Sequence, residues 1–335
     1  MKPVLRLICK SFLLLAVVAV LQVAVFERFH RTEPLKKFEQ CLKARPDVIF
    51  FGDSCNGWVD EQDADRRAIS ELLNDRLLGK TVGRIDGGAY HLELYEAFID
   101  LLIAREVHPE LLVIPINLRS FSSEWDARPS YAFEAAKQQL RQADDRLALA
   151  VSPLLKTLQW RTDSAKSLSA FKRTAVFDGD ERVGTVDDFE NARYDHPTEE
   201  LVRNKFIYHY MYSLTPEHRK LAALRNIARK AEEQQLQVAF YVTPVDCETG
   251  ARCLGDRFTS HIKQNVRVLR SQLAGTSATF MDCSLSLDAN AFSWSQYPNE
   301  HLNEVGRSFV AETLASTLSA RYAMRLVPTN LMLIK

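Results

Sequence analysis

The chain has no surplus of charge of either sign: lysine plus arginine and aspartate plus glutamate number 43 each. Nucleic-acid binders usually carry a basic excess, so that class is set aside and no nucleic-acid partner is expected. There is no internal repeat and no low-complexity tract, so the chain is read as an ordinary folded domain and not as a repeat array. No histidine stands near Cys247 and Cys253 at zinc-type spacing, and two thiols are too few ligands, so no metal is expected there. No convincing small-x-small cleavage site follows the N-terminal apolar run, which disfavours a cleaved signal peptide.

What is present begins with that N-terminal run. Lys2, Arg6 and Lys10 precede an apolar stretch from 11 to 26 broken only by Gln22. Counted from Val4 to Phe26 it is about the length that spans a bilayer as one helix, with basic side chains at the inner interface. The expectation is a signal anchor with stem over residues 1–35, a single-pass membrane protein, and a body (36–335) in the periplasm or cell exterior. A cleaved signal would give an exported lipase instead. In an oxidising compartment Cys247 and Cys253, flanking a short glycine-containing loop, are candidates for a disulfide.

The remaining 300 residues, in a chain that is 46% hydrophobic and 26% charged, alternate strand with helix. Apolar runs at 47–51, 81–85 and 111–116 each end in glycine or asparagine, and helical spacing of apolar residues follows the first two. This three-fold βα rhythm within about 70 residues predicts an α/β fold, a three-layer α/β/α sandwich on a mostly parallel five-stranded sheet. Residues 27–46 read as a charged stem, and 120–205 as a helical insertion with an acidic stretch at 178–188. The rhythm resumes with a helix at 216–233, strands at 237–243 and 278–281 and helices at 257–273 and 303–318.

In an open parallel sheet the active site forms at the carboxyl ends of the strands. There the sequence puts Gly52-Asp53-Ser54, Gly87-Gly88 and Asn117. A hydroxyl for attack, backbone N–H groups and an amide side chain together suit acyl transfer. Of eight histidines, His301 has the best position to act as base, because it opens the last helix at a loop-to-helix junction. Asn56 stands where a Gly-x-Ser-x-Gly elbow needs its final glycine, which disfavours an α/β-hydrolase. Tyr208, Tyr210 and Tyr212 alternate at strand spacing, and Arg119 and Trp125 follow Asn117 closely enough to be candidates for substrate contact.

Gly52-Asp53-Ser54, Gly88, Asn117 and His301 in His-Leu-Asn-x-x-Gly306 resemble, in order, the four blocks of the SGNH (GDSL-type) hydrolase superfamily. The resemblance covers roughly 45–120 and 237–320. It implies a flavodoxin-like sheet with Ser54 as nucleophile and His301 as general base. The oxyanion hole would be formed by the Ser54 and Gly88 N–H groups and the Asn117 amide, with no cofactor. One membrane helix joined to such a domain resembles proteins that O-acylate cell-surface polysaccharide. That implies an acylated-carbohydrate substrate, acetyl esters above all, and a multi-pass acyltransferase as partner. Two departures stand out. The third block reads Pro115-Ile-Asn-Leu118 where the family has Gly-x-Asn-Asp. Pro298 occupies the place of the aspartate that orients the histidine, so Glu300, Asp288 or a backbone carbonyl remain as candidates. A degenerate domain that binds polysaccharide without catalysis, or scaffolds an export complex, is the rival expectation.

Overall fold

The computed structural model describes residues 3–21, 31–122, 125–126, 128–144, 198–293, 300–322 and 325–326. Five strands form one sheet: β1 (Val48–Gly52), β3 (Val82–Asp86), β4 (Leu111–Ile116), β5 (Gln237–Val242) and β6 (Thr279–Asp282). The spatial order is β3-β1-β4-β5-β6, and every neighbouring pair is parallel. The chain therefore starts in the interior, steps to one side, then crosses back over β1. This is the doubly wound, flavodoxin-like order, with its switch point between β1 and β4.

The strands read as continuous apolar runs because both faces of the sheet are covered. Along β1, Ile49 and Phe51 enter one core while Val48 and Phe50 enter the other. The first core packs α2 (Glu33–Lys43), α5 (Leu92–Ala104), α7 (Glu199–Tyr210), α8 (Arg219–Glu233) and α10 (Asp256–Gln272). The second packs α4 (Ile69–Arg76) and α11 (Glu304–Tyr322). The three-layer expectation therefore holds.

Several sequence expectations need correction. The charged stem is in part α2, whose Leu35 and Phe38 are buried, Phe38 stacking on Phe98 at 5.7 Å. Its charges mask an apolar face at helical spacing. The N-terminal run forms α1 (Pro3–Leu21), but among the described residues no helix is long and apolar enough to cross a membrane.

Cys247 and Cys253 are both free. They sit six residues apart on one helix, α9 (Cys247–Leu254), and that rise of about 9 Å exceeds what a disulfide can bridge. Tyr208 and Tyr210 lie on α7, buried, so the alternation is not a strand. The insertion is helical where described, in α6 (Glu134–Arg141) and α7. The acidic stretch at 178–188 lies outside the described residues, as does Pro298.

Candidate active site

Two loops meet at the switch point. After β1, Asp53 caps the short α3 (Ser54–Gly57), its Oδ1 accepting from the Cys55 N–H at 2.8 Å. An aspartate at an N-cap satisfies a backbone donor that a helix start leaves over, and this fixes the turn that carries Ser54. After β4, Asn117 caps the 3-10 turn Leu118–Phe121, its Oδ1 accepting from the Arg119 N–H at 3.0 Å.

The third contribution comes from the run before α11. Asn303 Oδ1 accepts from the N–H groups of Val305 and Gly306, starting the helix. Leu302 is buried in the second core and pairs in an antiparallel bridge with Phe292. The Ser293 N–H donates to the His301 carbonyl at 2.9 Å. A Cβ on Gly306 would lie 2.6 Å from the Ala291 carbonyl oxygen, so only glycine allows that close approach. The pattern His-Leu-Asn-x-x-Gly thus has a structural reading: anchor, cap and close packing hold the backbone of the histidine.

The outcome is a Ser54 Oγ to His301 Nε2 distance of 3.0 Å across 247 residues of sequence. With the neutral ring protonated at Nδ1, the hydroxyl donates to Nε2, the arrangement a nucleophile and general base require. Both residues are half-buried, open enough for a substrate to reach them.

Beneath the pair lies a buried polar network. Asn117 Nδ2 donates to Asp53 Oδ2 at 2.8 Å and stands 3.5 Å from both Glu300 Oε1 and Cys55 Sγ. Arg119 Nη1 donates to both Glu300 oxygens at 3.3 and 3.2 Å, and its guanidinium lies 5.4 Å from the Trp125 ring. Burial pushes the Asp53 carboxyl up to about 6, against the Asn117 hydrogen bond and with the repulsion of Glu300. Burial also disfavours ionised Glu300, but Arg119 foremost, then His301 and His209, hold it below the usual range. Burial lowers His301 below the ordinary histidine value; Glu300 opposes that shift and Arg119 adds to it.

The structure thus joins Ser54, His301, Asn117 and Glu300, with Asp53 and Arg119 as members sequence reasoning passed over or left at low weight. Asp53 carried a signal, a helix-capping residue directly before a serine. The Arg119–Glu300 pair carried none, since 181 residues separate them. Gly88 is exposed on the turn after β3, where a Cβ would meet open space. Asp288 is exposed ahead of the 3-10 turn Ala289–Ala291. Trp125 is buried, its Nε1 donating to the Ala89 carbonyl, which makes it a packing residue. Among the described residues no group of three or more His, Cys, Asp and Glu side chains is placed to hold a metal ion.

No family model matches the chain, and no curated protein matches it in sequence. Solved structures to which it is similar include Axe2, an acetylxylan esterase from Geobacillus stearothermophilus. That likeness has 13% identity and a TM-score of 0.38, covering 84% of this chain and 96% of that one. A catalytic histidine-to-alanine mutant of the same esterase gives 13% identity and a TM-score of 0.39, with coverage of 84% and 96%. An arginine-to-alanine mutant, described as an acetyl-xylooligosaccharide esterase, gives 13% and 0.38, with coverage of 80% and 92%.

What the geometry can do chemically follows from its parts. Ser54 can pass its proton to His301 as its oxygen attacks an ester carbonyl. His301 can then return the proton to the leaving oxygen. Glu300, ionised beside Arg119 and adjacent to His301, favours the imidazolium that forms between these steps.

Proposed function

We propose that this protein is a serine esterase or O-acyltransferase that works through an acyl-Ser54 intermediate on acyl esters, acetyl above all, of cell-surface carbohydrate. The observation that carries the reading is the 3.0 Å approach of Ser54 Oγ to His301 Nε2 at the switch point of the sheet. His301 is the base and acid, and the Ser54 and Gly88 N–H groups with the Asn117 amide receive the oxyanion. The Asn117 amide also holds Asp53, so it serves the oxyanion through the N–H facing Glu300, its longer contact at 3.5 Å. Export belongs to the same reading, as do a multi-pass acyltransferase partner and a membrane contact through α1. The contact is supported by the exposed apolar side chains Phe12, Leu13, Leu14 and Leu15.

The test is turnover of acetylated oligosaccharides by the purified protein, with and without an acceptor sugar. Acetate release that vanishes in Ser54→Ala identifies a hydrolase. Acetyl transfer to the sugar with the same dependence identifies a transferase. Binding of the oligosaccharide without either product would replace catalysis by recognition.

A further inference from the structure

Trp58 has no part in the chemistry above, yet it touches the base. Its ring lies 4.7 Å from the His301 ring, centroid to centroid, and 20° from parallel. The indole is 36% exposed, so it is held at the mouth of the site and not sunk in a core.

Its backbone is fastened at both ends. The Trp58 N–H donates to the Ser54 carbonyl at 2.9 Å, and its own carbonyl accepts from Arg307 Nη1 at 3.1 Å. Arg307 is wholly buried. The same nitrogen donates to the Leu302 carbonyl and to Asp63 Oδ2, both at 2.9 Å. Its Nε donates to the Arg67 carbonyl at 3.0 Å and its Nη2 to the Asp65 carbonyl at 2.5 Å. One guanidinium therefore ties the residue stacked on the base to the residue next to the base. A ring carried on a backbone held this firmly, and stacked on an imidazole, restricts the imidazole's rotation and offers a π-face to its charged form.

We propose that Trp58 is the positioning residue of His301: its indole face keeps Nε2 aimed at Ser54 and stabilises the imidazolium of the acyl-transfer step. In that step the Ser54 Oγ–H bond breaks, the proton and its charge pass to Nε2, the serine oxygen's electron pair forms the bond to the acyl carbon, and the C=O π pair moves onto the carbonyl oxygen; collapse of that oxyanion expels the leaving oxygen, which takes the proton back from Nε2. The other charged groups facing the ring are Glu300, which favours the cation, and Arg119, which opposes it. The proposal deepens the acyl-Ser54 reading and rests on it.

The experiment compares Trp58→Phe, Trp58→Tyr and Trp58→Leu in the full-length protein. Turnover of p-nitrophenyl acetate is measured alongside the titration of the His301 ring protons by NMR. Leucine keeps the ring covered but has no π-face. Trp58→Leu is expected to lower kcat about fivefold with little change in KM, and to lower the His301 pKa by about half a unit. Phenylalanine and tyrosine should retain most of both. A His301 titration equal or raised in Trp58→Leu overturns the proposal, as does an equal kcat loss in all three variants. The titration does not depend on turnover. Failure of the esterase reading shows separately, as a wild-type protein with no Ser54-dependent hydrolysis.

Discussion

Asp53 and Glu300 are two buried carboxylates flanking one amide, and they titrate in opposite senses. Asp53 is raised to about 6, so its folded form binds a proton that the unfolded chain, titrating near 4, has lost. Stability from that proton is complete below the unfolded value and disappears as the pH rises through about 6. Glu300 is lowered, so its contribution is present above its unfolded value and is lost on acidification. Asp53→Asn removes the first dependence and keeps a side-chain oxygen for the cap. Denaturant melts at pH 4 and pH 7 should show the variant gaining about 2 kcal/mol on wild type over that interval. Catalysis has its own pH signature. The base must be neutral, and burial lowers His301. The acid limb of kcat/KM is expected below the usual histidine value of about 6.5, and Glu300→Gln, which removes the opposing charge, should move it lower still.

At the scale of elements, how much can be read from sequence depends on how local the cause is. The strands at 48–52, 111–116 and 237–242 were legible because sheets buried on both faces demand unbroken apolar runs. Ser54, Asn117 and His301 were legible because the ends of parallel strands, and a loop entering the last helix, fix their positions without knowledge of contacts. The strand pair β2 (Leu77–Leu78) with β7 (Arg325–Leu326) was not, since two residues carry no periodicity. In sequence α9 reads as a short glycine-containing loop, since glycine disfavours helix; Gly250 is there because a Cβ would lie 2.2 Å from the Phe258 ring. The Trp58 stack and the Arg307 clamp depend on tertiary contacts and left no mark in the sequence.

Two predictions belong to this scale. Cys247 and Cys253 on one helix cannot pair, so both should be found modified by peptide mapping after reaction with a thiol reagent in denaturant without reductant; a peptide cross-linked through Cys247 and Cys253 would contradict the helix. In the turn after β3, a Cβ on Gly87 would lie 2.5 Å from the Tyr90 ring, which is buried against Phe98 and Phe133. One on Gly88 meets open space. Gly87→Ala should cost about 1–3 kcal/mol in thermal or denaturant melts, and Gly88→Ala about none.

At the scale of the whole molecule, the two cores do different jobs. The larger one, built from α2, α5, α7, α8 and α10, holds the sheet and with it Ser54 and Asn117. The smaller one, through Leu302 and α11, delivers His301 from the far end of the chain. Their registration is what makes a site, and Arg307 crosses between the loops that carry it. The central claim is that this registration activates Ser54. It is tested most directly by intact mass after reaction with a fluorophosphonate, in wild type, Ser54→Ala and His301→Ala. A single adduct on wild type, none on Ser54→Ala and strongly slowed labelling of His301→Ala is the predicted result. An unmodified wild type, or an adduct that persists in Ser54→Ala, would contradict it.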